Sequence, residues 1–350
     1  MDGTETTATF AAEDLPAGGH PDLVAVRDED AATIRRLAAE LAVGHPAQLT
    51  AEPDRRFDDA AFLTAVESSA RRMSHRLLER LVGFRLAGSS SGGLVLRGLP
   101  LDPALPPTPA DGSYRGPVSD LFVSSVTQLM VMSVLGGVVA YADEKDGRLI
   151  QDVCPVPGAE TRQENTGSTL LELHTEDGFH PSKPDFMSLY CLRGDPRDEA
   201  RTVVGAVARV LPGLSERCRA ALREPQFRIR LSSSFTGGGP ARWSAPLPVL
   251  SGAAVDPEVC LDLHAMAGLT AEGDEALREL AALMTRSLLA VALRPGDLLI
   301  VDNRQAVHGR TAFRPGYDGA DRWLRRCYAI TDLWRSRGTR FPGSRVHRPL

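Results

Sequence analysis

From Asp28 to Val43, and again from Asp58 to Val82, apolar residues recur at helical spacing among arginines and glutamates. This is the pattern of helices that bury one face. A third apolar stretch, Leu121 to Ala142, carries no charge. Ser124, Ser125, Thr127 and Gln128 interrupt it, Gly136 and Gly137 would stop a helix midway, and its flanks are acidic. These features predict a buried core helix rather than a membrane span. Beyond it the texture changes to short β-type runs punctuated by Gly, Pro and Asp: Phe186–Gly194, Arg201–Val207, Gln226–Phe235, Glu258–Leu263, Asp297–Asn303 and Leu324–Ile330. Gly93–Pro100 reads as an earlier strand, and helices are predicted near Val207–Leu222 and Thr270–Ala292. Strands of this length and spacing predict a β-sandwich or barrel with helices packed outside it, not a βαβ fold.

Between these elements the proline-rich segment after Pro100 cannot be regular structure, and Ser232–Trp243 is a Gly-rich loop that suits a lid. Residues 1–20 read as a disordered N-terminus, residues 21–335 as a single domain with a helical part to about residue 140, and residues 336–350 as a solvated basic tail. The 350 residues, with 43% hydrophobic and 24% charged side chains, can bury a substantial core. A net charge of -5 argues against nucleic acid as the main partner. The five scattered cysteines form no CxxC pair, and the acidic N-terminus lacks a signal-peptide pattern, so a reduced, cytoplasmic protein is expected.

The chemistry concentrates in "LELHTEDGFHP", Leu171 to Pro181. If the strand runs through this stretch, its period of two puts His174 and Glu176 on one face and turns Thr175 and Asp177 away. Two histidines and one carboxylate on one side of a metal leave positions open, as non-haem Fe(II) sites require. His308, after the apolar run Asp297–Asn303, offers the second histidine, with His180 and His264 as competitors. Past Gly178, His180 reads as a structural residue or one that supports the ligands. In "DRWLRRCYAI" the even spacing of Arg322, Leu324 and Arg326 gives them a common strand face. Two guanidinium groups facing an interior call for anionic partners such as carboxylates.

Together, "LELHTEDGFHP" and "DNRQAVHGRTAFRPGYDGADRWLRRCYAI" resemble the iron(II) and 2-oxoglutarate-dependent oxygenases of the clavaminate synthase-like group. The resemblance spans roughly Tyr141 to Arg335 and is greatest to hydroxylases of free asparagine or arginine. It implies a mainly β fold with flanking helices, built on a double-stranded β-helix or jelly-roll core. It further implies His174, Glu176 and His308 as iron ligands, and Arg322 with Thr202 as partners of the far carboxylate of 2-oxoglutarate. Arg326 matches the arginine that holds the substrate carboxylate, Glu144 and Asn165 fall where relatives contact its amino group and backbone, and Asp262 matches an aspartate that holds the side-chain nitrogen. Cys260 stands where some arginine hydroxylases have a second aspartate. The implied reaction consumes O2 and 2-oxoglutarate, releases succinate and CO2, and hydroxylates C3 or C4 of a free L-amino acid of the arginine, asparagine, citrulline or lysine type. Natural-product biosynthesis is the implied setting.

Two other classes use the same residues. A zinc-dependent hydrolase would employ the triad with a metal-bound water, and a non-catalytic jelly-roll protein would keep the fold without an open metal site. The hydrolase does not account for Arg322 and Thr202 at their spacings.

Overall fold

The computed structural model describes residues 19–49, 57–164 and 166–350. The expected disorder of residues 1–20 therefore lies almost wholly outside the described residues, as does Asn165. Helices α1 (Asp28–Gly44), α2 (Pro46–Leu49), α3 (Ala60–Ala70), α4 (His75–Ala87) and α5 (Phe122–Leu135) surround one face of a large sheet. The later helices are α6 (Val207–Val210), α7 (Glu216–Arg223), α8 (Ser233–Thr236) and α9 (Ala271–Arg286). The strands are β1 (Asp22–Ala25), β2 (Gly93–Arg97), β3 (Gly137–Tyr141), β4 (Gln151–Val153), β5 (Leu171–His174), β6 (Phe186–Arg193), β7 (Thr202–Ala206), β8 (Phe227–Ile229), β9 (Leu250–Gly252), β10 (Pro257–Val259), β11 (Met266–Gly268), β12 (Leu289–Val291), β13 (Leu298–Asp302), β14 (Ala306–Arg310), β15 (Trp323–Ile330) and β16 (Val346–His347).

The large sheet runs β1-β2-β13-β6-β15-β3-β16, with β4 also paired to β15, and the facing sheet runs β12-β7-β14-β5. Apart from β1 with β2 and β16 with β3, the pairs in both sheets are antiparallel, as in the jelly roll that was expected. Strand alternation sorts the core. On β6, Phe186 and Tyr190 pack under the N-terminal helices, while Met187, Leu189 and Cys191 fill the space between the sheets. On β15, Cys327 and Ala329 face the helices, and Leu324 and Tyr328 face inward. A strand buried on both faces reads as a continuous apolar run, which is why these segments stood out in the sequence. The outer side of the small sheet is covered by α7 and α9.

Helix α5 is the uncharged stretch. Its window Val118–Leu135 is long and apolar enough to cross a membrane, but 83% of it is buried within the fold. Its polar residues meet the sheet: Gln128 Nε2 donates to Ser188 Oγ at 3.0 Å and to the Arg325 carbonyl at 2.8 Å, and Ser125 Oγ accepts from Arg325 at 2.6 Å. A buried polar group so paired escapes the penalty of burial. The helix stops at Leu135 because the chain must run close to β15: a Cβ on Gly136 would stand 2.4 Å from the Ile330 carbonyl oxygen.

Several boundaries differ from the periodicity. The predicted helix Asp58–Val82 is two helices, because Ser74 caps a new one by accepting from Leu77 N. Val207–Leu222 breaks around Pro212, and α7 restarts at the Ser215 cap. The chain beyond Arg286 enters β12 instead of continuing α9. Gln226–Phe235 is strand only over Phe227–Ile229, then turns into α8, which anchors the Gly-rich loop by burying Phe235 against Phe179 and Tyr141. The C-terminal segment is not simply solvated: Val346 and His347 form β16 beside β3, and His347 is fully buried.

Candidate active site

His174 ends β5 and His308 sits mid-way along β14, directly opposite each other in an antiparallel pair. Their rings lie 4.3 Å apart. Glu176 does not continue the strand, which stops at His174. It lies in the following turn, where Asn303 Oδ1 accepts from its backbone N–H at 2.8 Å and Asn303 Nδ2 donates to its carbonyl at 3.0 Å. Thr175 Oγ1 accepts from the Leu261 N–H at 3.0 Å, but Thr175 and Asp177 do not leave the cavity as expected: both line it, and Asp177 clusters with Glu144 and Glu176. The convergence of His174 and Glu176 is therefore made by a clamped turn rather than by strand periodicity.

Glu176 Oε2 stands 3.3 Å from His308 Nε2 and 3.9 Å from His174 Nε2. Donors bound side by side at about 2.1 Å from one metal are separated by about 3 Å, so the three atoms fit a single ion with small side-chain adjustment. The Glu172 carbonyl lies 2.9 Å from His174 Nδ1, which turns Nε2 toward the common point. Glu176 Oε1 faces away from it: Arg326 Nη1 donates to it at 2.6 Å and the Tyr328 hydroxyl lies 2.8 Å from it. Burial opposes charge on Glu176, but Arg326 and the two histidines hold its carboxyl well below the usual range. Burial, with the neighbouring His174, pushes His308 down against the pull of Glu176, which favours the neutral imidazole that a metal ligand needs.

Arg326 sits on the inward face of β15 as the alternation required, almost completely buried. Besides Glu176 it donates to Glu144 Oε1 at 3.0 Å and to Gln151 Oε1 at 3.1 Å. Tyr328 Oη also lies 3.0 Å from Glu144 Oε2. Glu144 is pushed up by burial, against the pull of Arg326, and burial with the neighbouring carboxylates raises Asp177 well above its ordinary value. Gln151 and Tyr328 were not singled out in the sequence. The two-residue step from Arg326 to Tyr328 was the available signal.

Arg322 comes just before β15 and is also buried, donating to Thr202 Oγ1 at 3.1 Å. Thr202 in turn pairs across the sheet with Arg310, two residues beyond His308. Arg310 is a second buried guanidinium missed in the sequence reading, although its parity with His308 marks it as inward. Its Nη2 donates to the Thr169 carbonyl at 2.8 Å, while its Nε has no partner among the described residues. Burial, then repulsion from Arg322, lowers Arg310 to about 9, and burial lowers Arg322. Neither forms an ion pair with a carboxylate among the described residues.

His180 lies outside the metal cluster: its ring packs 4.5 Å from Tyr141, and its Nδ1 accepts from Ser182 N–H at 2.9 Å. His264 is half exposed at the cavity rim. Asp262 bridges to His174 in an isolated β-bridge, and its Oδ1 accepts the N–H groups of His264 and Ala265 at 3.0 and 2.7 Å. Glu144, Glu172, His174, Glu176, Asp262 and Arg326 all line one cavity of about 290 Å³. Ser233 of the Gly-rich loop donates across the mouth to Glu164.

A family profile described as taurine catabolism dioxygenase TauD, TfdA family, matches residues 118–328. The chain belongs to the TauD/TfdA dioxygenase family. Among relatives of this TauD/TfdA chain, an L-asparagine oxygenase of Streptomyces coelicolor is 43% identical over 319 residues, 91% of this chain and 92% of that protein. An L-lysine 3-hydroxylase of Catenulispora acidiphila is 34% identical over 329 residues, 93% of this chain and 88% of that protein. A crystal structure of asparagine oxygenase with Fe(II), 2S,3S-3-hydroxyasparagine and succinate superposes with a TM-score of 0.84 at 41% identity. The superposition covers 94% of this chain and 99% of that one.

Proposed function

We propose that this TauD/TfdA dioxygenase hydroxylates C3 or C4 of a free L-amino acid with a nitrogen-bearing side chain, using Fe(II), 2-oxoglutarate and O2. The observation that carries the reading is the joint placement of two unlike sites in the sandwich. A two-histidine, one-carboxylate cluster opens into the cavity, and the strand that supplies His308 also supplies Arg310, which like Arg322 is buried with no carboxylate ion pair among the described residues. A buried cation without an anion is costly, so Arg322 and Arg310 beside Thr202 call for a carboxylate ligand. A zinc hydrolase has no use for that second site.

In this reading His174, Glu176 and His308 hold the iron. Arg322 and Thr202 hold the far carboxylate of 2-oxoglutarate, with Arg310 adding charge. Iron so bound couples decarboxylation of 2-oxoglutarate to succinate and CO2 with hydroxylation of an unactivated carbon. Arg326 and Tyr328 fix the carboxylate of Glu176 so that one oxygen faces the metal. Arg326 also receives the substrate carboxylate, Glu144 its ammonium and Asp262 its side-chain nitrogen. A cavity of about 290 Å³ suits a free amino acid rather than a peptide segment. The relatives' names span an amide and an ammonium side chain, so the family leaves the distal group open. All five cysteines are free, which agrees with a cytoplasmic enzyme of natural-product biosynthesis.

The test begins without oxygen: Fe(II) and 2-oxoglutarate should produce the weak visible charge-transfer band of the chelate. Oxygen and a panel of amino acids should then yield succinate and one product with an added oxygen by mass spectrometry. No band and no succinate with any amino acid would refute the assignment.

A further inference from the structure

Glu172 belongs to β5, two residues before His174, and therefore shares its inward face. The bridge between His174 and Asp262 makes residues 262–264 the neighbour of this strand, so His264 comes to lie opposite Glu172. Glu172 is 6% exposed and lines the same cavity as the metal cluster. Its Oε1 is 3.8 Å from His264 Nδ1, but its Oε2 is buried with no hydrogen-bond partner among the described residues. Asp262, on the adjacent segment, uses Oδ1 for two backbone N–H groups, and no described residue bonds its Oδ2. Cys260 contributes nothing to the cavity's charge, since its thiol donates to the Gly178 carbonyl at 3.3 Å.

Two carboxylates with spare oxygens thus line the same cavity on neighbouring segments, and an ionised carboxylate is an acceptor only. A ligand there must bring donors, and burying two anions favours a ligand that also brings positive charge. A neutral amide or ureido group supplies N–H donors but also a carbonyl oxygen, which would meet carboxylates. His264, the nearest donor, already has Glu172 beside Nδ1 and Arg230 at 3.4 Å from Nε2. Unpaired polar atoms in a buried site are what allow strong rejection of a near-isosteric substrate.

We propose that Glu172, steadied by His264, acts with Asp262 as a subsite that reads the distal group of the substrate as a cation, an ammonium or guanidinium. The subsite rests on the reading of this chain as an amino acid hydroxylase. It makes Glu172 a specificity residue and excludes asparagine and citrulline as preferred substrates.

Arginine and citrulline are close isosteres that differ in charge, so they separate the possibilities. Anaerobic calorimetry on the protein loaded with Fe(II) and 2-oxoglutarate should give tighter binding for arginine, ornithine or lysine than for citrulline, glutamine or asparagine. Turnover should follow the same order. Glu172→Gln should reduce the preference for the cation about tenfold or more, the size of a lost charged hydrogen bond, while leaving 2-oxoglutarate affinity unchanged. Asp262→Asn should act in the same direction, and serves if Glu172→Gln does not fold by circular dichroism. Preference for a neutral side chain, or a preference that neither variant alters, overturns the subsite and leaves the hydroxylase reading intact. Failure of every amino acid to bind or to yield succinate overturns both.

Discussion

Glu176 divides its oxygens between two tasks, one toward the histidines and one held by Arg326 and Tyr328. Groups that orient a metal ligand in this way are worth about 10–100-fold in metal affinity or activity. Tyr328→Phe should therefore weaken Fe(II) binding or turnover by about that factor, measured by iron titration against kcat, while 2-oxoglutarate affinity stays near its original value. Arg322 works at the other end. Arg322→Ala should raise KM for 2-oxoglutarate by about 10–100-fold, the weight of a charge-assisted pair, with a much smaller effect on KM for the amino acid. Lysine at this position should rescue only part of the loss, because it cannot present a planar fork. Equal effects on both KM values would show that Arg322 supports the fold instead of the co-substrate. The sequence made His174, His308, Arg322 and Arg326 legible because strand parity is a local property. Tyr328 and Gln151 owe their roles to which carboxylates the sandwich brings against them, and nothing along the chain specifies that.

At the scale of elements, two junctions position the site wall. Where α5 passes into β3, a methyl group on Gly136 would collide with backbone of β15 rather than with a movable side chain. Gly136→Ala should thus cost about 1–3 kcal/mol in urea unfolding, as overpacking does, with little change in m. The second junction is β16 on β3. There His347 stacks on Tyr141 at 5.0 Å and lies 5.5 Å from His180. Burial lowers both imidazoles to about 4, with repulsion from His180 adding to the effect on His347. The unfolded chain takes up these protons from about pH 6.5 downward and the native state only near pH 4. Their contribution is therefore complete above pH 6.5 and is lost as pH falls between those values. His347→Phe, which keeps a ring against Tyr141, should flatten the dependence of melting temperature on pH in this window; an unchanged slope would exclude His347 as a source. Basic composition suggested a solvated tail, but Val346 and His347 are buried and Arg345 pairs with Glu67 at 2.9 Å, so the segment is held against the fold.

Across the whole molecule, the candidate metal cluster brings β5 and the turn after it against β14, and Arg322 ties the entry of β15 to Thr202 at the start of β7, beside Arg310 of β14. Ligands that bind only this assembled state stabilise it by mass action, about 2.7 kcal/mol at a hundred times Kd. Fe(II) with 2-oxoglutarate under anaerobic conditions should raise the melting temperature by several degrees, and a chelator should reverse the rise. In Arg322→Ala the increment from 2-oxoglutarate should vanish while that from iron persists.

The sequence by itself determined the sandwich class, the places of about half of the described strands, the buried nature of α5 and the histidines of the cluster, because alternation and apolar periodicity are written residue by residue. Helix ends at Ser74 and Ser215 were set by caps within the local sequence, although periodicity alone ran past them. Tertiary structure decided the rest. It closed the turn that aims Glu176, paired Arg326 with Glu144, left Arg310 and Arg322 without a carboxylate ion pair among the described residues, and set Glu172 on the strand beside the Asp262 segment. The physical reason is that charge in a low-dielectric interior is governed by distance between elements far apart in the chain, and only the folded sandwich fixes those distances.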